Sequence, residues 1–251
     1  MRASIVQAPL MDMERAMGGF LEENEERIFS GADLVVFPEK WITDRMDQDG
    51  PEMSSLLRFY GGDMSARHRV LLCPGSLSVY RDGRLFNSSP LIDMGKLIGW
   101  QDKVSLFRSE KKSYTPGSEV KVFDTHLCRI GVCICYDVDF PYYCKMQAGM
   151  GARLILNPSL IDRDFRDMWH IYVRARSLEN RLPFISVNSS SEMFGSGSMV
   201  TWMERAGKGG VLLRELQAGD VFTLVELSTD VADLVDTRAE EDPGHYSLRT
   251  K

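Results

Sequence analysis

The chain has 251 residues, 43% hydrophobic and 26% charged, and its 30 basic and 36 acidic side chains leave a formal charge of −6. That balance argues against nucleic acid or an anionic membrane surface as the main partner, since both call for a basic face, and no apolar run approaches the ~20 residues of a membrane span. Met1 to Leu10 lacks the regions of a signal peptide, and five cysteines cannot all pair within one chain, so free thiols in a reducing cytoplasm are expected.

Ser4 to Pro9 reads as a short opening strand. Asp12 can cap a helix carrying Met13, Met17, Phe20, Leu21 and Ile28 on one face, weakened by roughly 1 kcal/mol at each of Gly18 and Gly19. Glu22, Glu23, Glu25 and Glu26 make a solvated outer face, and Asp33 to Pro38 is a buried strand stopped by proline. Val70 to Cys73 and Ser76 to Tyr80 are strands on either side of a Pro74-Gly75 break. Arg81-Asp82-Gly83-Arg84 is a hairpin turn, with Asp-Gly supplying the positive φ values. Arg129 to Cys135 and Ala152 to Leu156 are strands separated by a short helix over Tyr142 to Met150. Asp162 or Asp164 caps a longer helix with an apolar stripe of Phe165, Met168, Trp169, Tyr172 and Ala175, which stops before Pro183. Phe184 to Val187, Met199 to Met203, Val211 to Arg214 and Val221 to Leu227 complete the strands. No repeat or low-complexity linker interrupts this alternation, so one α/β domain over residues 1–238 is expected. Residues 239–251, polar and rich in turn formers, are expected to form a tail over the surface or over a partner subunit.

Chemistry concentrates in Ile130-Gly131-Val132-Cys133-Ile134-Cys135-Tyr136-Asp137. Strand alternation puts Gly131, Cys133 and Cys135 on one face, with Cys135 where the strand ends and the chain turns. Carboxyl ends of strands in α/β folds are where reactive groups meet ligands. A thiol there becomes a nucleophile if a base or cation favours the thiolate, although a lone cysteine in a strand is ordinarily a small buried hydrophobe. A second element is Phe37-Pro38-Glu39, where burial behind a strand suits a carboxylate to general base work. A third is Lys103, whose ammonium can stabilise a developing oxyanion. Each of these is unremarkable by itself. The four histidines do not cluster, and no G-x-S-x-G elbow, G-x-G-x-x-G or phosphate loop occurs. Catalysis without histidine needs a carboxylate base, which directs attention to Glu39.

Phe37-Pro38-Glu39, Lys103-Val104-Ser105-Leu106-Phe107 and Gly131 to Pro141, in this order, resemble the nitrilase superfamily of carbon–nitrogen hydrolases. That family carries a Glu, Lys, Cys triad within F-P-E, a K-x-x-L-F-like segment and G-x-x-I-C-Y-D-x-x-F-P. Gln7, Gly75-Ser76, Asn87, Glu110 before Tyr114-Thr115-Pro116-Gly117, Asn157-Pro158-Ser159, Arg174 to Asn180 and Asn188 sit where the family has similar residues. Lys145 and Trp202-Met203-Glu204-Arg205 depart from its pattern.

The resemblance implies a four-layer α-β-β-α sandwich of the carbon–nitrogen hydrolase type, assembled as a homodimer or higher homo-oligomer. It also implies Cys135 as nucleophile, Glu39 as base, Lys103 and the Tyr136 backbone N–H at the oxyanion, Glu110 as auxiliary, and no metal or organic cofactor. The implied partner is a small-molecule amide, because Tyr136-Asp137 resembles the amidase branches; a nitrile or an N-carbamoyl compound is the alternative. A noncatalytic binding protein on the same fold is expected to lack a triad member, whereas all three are present. A thiol redox protein requires both Cys133 and Cys135.

Overall fold

Strand alternation sorts the apolar side chains of this chain into two cores. In the computed structural model, which describes residues 1–207, 210–228 and 232–241, strand β1 (Arg2–Val6) sends Ala3 and Ile5 to one core and Val6 to the other. A capped turn α1 (Met13–Arg15), a π-helical stretch (Ala16–Leu21) and α2 (Glu25–Phe29) follow. Strand β2 (Leu34–Val36) repeats the sorting, with Leu34 and Val36 in the first core and Val35 in the second. Next come β3 (Arg45–Asp47), α3 (Pro51–Arg58) continued by a π-helical stretch (Phe59–Ala66), β4 (Leu71–Cys73), β5 (Leu77–Arg81), β6 (Arg84–Asp93) and β7 (Lys96–Asp102). Strand β14 (Phe222–Glu226) joins them in an eight-stranded sheet of order β14-β1-β2-β4-β6-β5-β3, with β7 paired to β6.

The second sheet has six strands, β8 (Val122–Asp124), β9 (Arg129–Val132), β10 (Leu154–Pro158), β11 (Phe184–Val187), β12 (Met199–Arg205) and β13 (Val211–Gln217), in the order β13-β12-β11-β10-β9-β8. Helices α4 (Pro141–Gly149) and α5 (Arg166–Asn180) contribute Tyr143, Cys144, Trp169 and Val173 to the first core, and α6 (Ala232–Glu241) adds Leu234 and Val235. The helical segments 13–66 pack on the first sheet through the second core. The result is the expected α-β-β-α sandwich of two sheets between helical layers. Among the described residues no helix is long and apolar enough to cross a membrane.

Several expectations are corrected. The helix expected to carry Met13 to Ile28 widens into a π turn at Gly18 and Gly19 and is divided at Asn24. Gly61 and Gly62 sit in the second π stretch, and this glycine-interrupted helix was not foreseen. Strand β9 ends at Val132 rather than Cys135. Cys133 N still reaches Leu156 O at 2.8 Å, but Ile134 N turns to the Asp137 carboxylate and Cys135 takes a φ of +46°. Cys133 and Cys135 therefore do not share a pleated face. The long helix begins only at Arg166, after a 3₁₀ turn capped by Asp162. Its expected stripe divides too: Trp169 is buried, whereas Phe165 and Met168 are exposed. Helix α6 runs across the expected boundary at 238, and residues 242–251 of the expected tail lie outside the described residues.

Candidate active site

Strand β2 pairs in parallel with β1 in one sheet and β9 with β10 in the other, and the segments that follow them carry Glu39 and Cys135. Glu39 follows β2, bridged to Ser76 and donating its N–H to Ser159 O at 3.3 Å. Gly75 permits this approach: with a φ of +80°, a Cβ on it would lie 1.8 Å from Pro38 O. Lys103 follows β7, its backbone N–H on Asn87 O and its carbonyl accepting from Gly117 N, both at 2.8 Å. Cys135 opens a 3₁₀ turn (Cys135–Asp139) in a left-handed conformation that costs a non-glycine residue energy and clusters at functional sites. Asn157 Nδ2 holds that turn from β10, donating to Cys133 O at 2.6 Å and Cys135 O at 3.4 Å.

The side chains converge on Lys103, which is 2% exposed. Its Nζ donates to Glu39 Oε1 at 2.8 Å and lies 2.8 Å from Glu110 Oε2. Glu110 sits in a second 3₁₀ turn (Arg108–Lys112), where Oε2 accepts from Phe107 N at 2.9 Å and Oε1 from Lys40 Nζ at 2.9 Å. Asn87 Nδ2 spans both acids, at 2.6 Å from Glu39 Oε1 and 3.3 Å from Glu110 Oε1. Two carboxylates and two ammoniums thus form a balanced, largely buried cluster, the condition under which buried charge is tolerable.

Burial alone would lower the Lys103 affinity for its proton, but the Cys135 sulfur when ionised, and the Glu39 and Glu110 carboxylates, raise it well above the usual lysine range. Glu110 is opposed by burial and pulled down by Lys103 and Lys40, ending at about 2. Because this lies below its ordinary 4.5, the stability Glu110 confers is intact above that value and is lost as pH falls from 4.5 to about 2. Burial and the Glu39 carboxylate push the Cys135 thiol up, while Lys103 pulls it down.

The structure therefore brings Glu39, Lys103, Cys135 and Glu110 together. The Tyr136 ring turns to an aromatic cluster, edge-on to Phe107 at 5.1 Å and to Phe140 at 5.3 Å. Lys40 was missed by sequence reasoning, and Asn87 and Asn157 entered only as matches to a pattern. The available signal for Asn87 was the polar run Asn87-Ser88-Ser89 in a buried strand; nothing local marks Lys40.

Residues 2–204 match the family model described as carbon-nitrogen hydrolase. The chain is 33% identical over 105 residues to "Probable nitrilase C965.09" of Schizosaccharomyces pombe, covering 41% of this chain and 39% of that protein. It is 27% identical over 207 residues to the chloroplastic omega-amidase of Arabidopsis thaliana, covering 74% and 56% respectively. The chain thus spans less than two thirds of these two relatives. Among solved structures, Nit3 of Saccharomyces cerevisiae aligns with a TM-score of 0.71 at 20% identity over 97% of this chain and 94% of that one. An amidase from Nesterenkonia AN1 aligns at 0.72 and 23% identity, over 96% and 95%. With the family model matched over most of its length, the chain belongs to the carbon–nitrogen hydrolase family.

Proposed function

We propose that the protein hydrolyses the non-peptide carbon–nitrogen bond of a small amide through a thioester on Cys135. The observation that carries this reading is the buried Glu39–Lys103–Glu110 cluster facing a cysteine held at positive φ. Glu39 Oε1 is occupied by Lys103 and Asn87, so Oε2 takes the thiol proton. The transfer leaves the net charge of the buried cluster unchanged, which spares the cost of creating an uncompensated ion. The thiolate then attacks the carbonyl carbon. Lys103 and the Tyr136 backbone N–H stabilise the oxyanion. Glu39 returns the proton to the leaving nitrogen, ammonia or an amine departs, and water deprotonated by Glu39 hydrolyses the thioester. Glu110 holds Lys103 in place from the far side.

In a Glu→Gln mutant of the Nesterenkonia amidase, the acetamide moiety of fluoroacetamide adds covalently at the active-site cysteine, so fluoroacetamide is a suitable probe here. Ammonia release across an amide panel, with nitriles and N-carbamoyl compounds beside it, tests the substrate class. Release from nitriles alone would overturn the amide reading. Glu39→Gln keeps the shape and removes the base, and is expected to slow acylation and deacylation by about 10²–10⁴. Single-turnover rates check it, and near-normal rates would remove Glu39 from the mechanism.

The enzyme is proposed to act as a homodimer or larger homo-oligomer in a reducing cytoplasm. Five unpaired thiols fit that compartment. Phe165, Met168, Ile171 and Leu178 on and beside α5, with Tyr142 and Met146 on α4, are all exposed, and an apolar surface of this kind marks an interaction site. Light scattering at micromolar concentration is expected to give at least twice the 28.4 kDa chain mass; a monomer would refute the dimer.

A further inference from the structure

Asp137 is fully buried and belongs to none of the steps above. Its Oδ1 accepts the Ser105 N–H at 2.6 Å and its Oδ2 the Ile134 N–H at 3.2 Å. Ser105 lies two residues beyond Lys103, and Ile134 immediately precedes Cys135. One carboxylate therefore ties the segment that carries the ammonium to the turn that carries the thiol. The Lys103 backbone itself bonds to Asn87 O and Gly117 N. The Cys135 turn, at positive φ, needs restraint from outside to hold its strained backbone.

We infer that Asp137 is a positioning residue, whose ionised carboxylate straps the Lys103 segment to the Cys135 turn and holds oxyanion donor and nucleophile in register. The inference rests on the reading of Cys135 as nucleophile. An ionised carboxylate accepts at both oxygens, whereas the neutral acid carries a proton on one of them and turns a donor towards an N–H. One strap bond is then lost. Burial pushes Asp137 up to about 7, against the pull of the Ser105 N–H and the Lys103 charge. The other titratable groups facing it are the Cys133 thiol and the Tyr143 hydroxyl, with Cys135 and Cys144 beside Cys133, and Asp102 beyond Tyr143. Tyr143 donates to Val132 O at 3.1 Å and Cys144 to Cys133 Sγ at 3.9 Å, so both are engaged elsewhere.

Loss of the strap in acid is separable from unfolding by its sign. The folded-state value lies above the ordinary 3.8, so the folded protein binds this proton more tightly than the unfolded chain does. Between about 7 and 3.8 this group makes the fold more stable as pH falls, while the site loses its register.

The test is the rate of iodoacetamide alkylation of Cys135 in the full chain, mapped by peptide mass across pH, beside the thermal midpoint. In the wild type the rate is expected to fall below an inflection near 7 more steeply than the tenfold per pH unit that loss of the Cys135 thiolate alone imposes, by about 10²-fold in all, with no matching drop in thermal midpoint. Asp137→Asn retains one acceptor and points an amide N–H at the other donor. Its rate is expected to be about 10²-fold lower and to lack that inflection. An inflection near 7 that persists in Asp137→Asn, or is absent from the wild type, overturns the inference. If Asp137→Asn does not fold, carbon-13 titration of the Asp137 carboxyl in the wild type decides. A midpoint matching the alkylation inflection supports the strap, and one near 3.8 overturns it. Labelling of other thiols with none at Cys135 at any pH refutes the nucleophile itself, a different result from an unaltered inflection.

Discussion

Cys135→Ala is expected to reduce turnover to background and abolish the mass adduct with fluoroacetamide, while leaving the unfolding free energy within about 1 kcal/mol of the wild type. Cys135 is buried, at 7% exposed, but the change from thiol to methyl removes only one sulfur atom. The turn itself is held by Asn157 and Asp137 through backbone atoms that the substitution leaves in place. Cys133→Ala provides the contrast. Cys133 is wholly buried, with its Sγ 3.9 Å from that of Cys144 rather than turned to the site. Removing its sulfur is expected to cost about 1 kcal/mol and leave catalysis largely intact. Iodoacetamide mapping with single-turnover kinetics on both variants checks the assignment. Full activity in Cys135→Ala would end the hydrolase mechanism, and equal dependence on both thiols would favour redox chemistry.

Lys103→Met is expected to produce the largest combined loss. Without the ammonium, two carboxylates that each lie 2.8 Å from it face one another across a buried space. Breaking a buried pair in this way costs about 3–5 kcal/mol, and losing an oxyanion donor costs about 10²–10³ in rate. The pH dependence gives a further check. Glu110 is held at about 2 chiefly by Lys103, with Lys40 in support. In the variant it takes a proton more readily, which relieves the repulsion. The stability gap between wild type and variant should therefore narrow as pH falls from 4.5 towards 2. Urea denaturation across that range measures it. A constant gap would mean that Lys103 does not hold Glu110 down.

The strands nearest the chemistry were legible because their apolar runs are short, continuous and punctuated. Leu34 to Val36 is stopped by Pro38, and Phe184 to Val187 follows Pro183. The hairpin at Asp82-Gly83 was legible for a similar reason, and both residues have positive φ. Strands β3, β6, β7 and β8 were not. Lys96 to Asp102 exposes or half-buries most of its side chains and pairs only along β6, so it carries neither a clean alternation nor an apolar run. Helix α3 and its continuation were obscured by Gly61-Gly62, where the periodic spacing passes into a π turn.

The sequence by itself determined which residue types stand at the ends of two strands: a carboxylate after Leu34–Val36 and a thiol soon after Arg129–Val132. It also carried the ordered motifs that mark the family. Only the tertiary structure decided that these two meet Lys103, because Glu39, Lys103 and Cys135 lie far apart in the chain and their meeting depends on two sheets packing face to face. The same holds for the groups that tune them. Asn87, Lys40 and Asp137 act through one or two hydrogen bonds each, to partners between 3 and 70 positions away. Such bonds have no period and leave no local pattern, since their energy comes from burial that only the assembled layers provide.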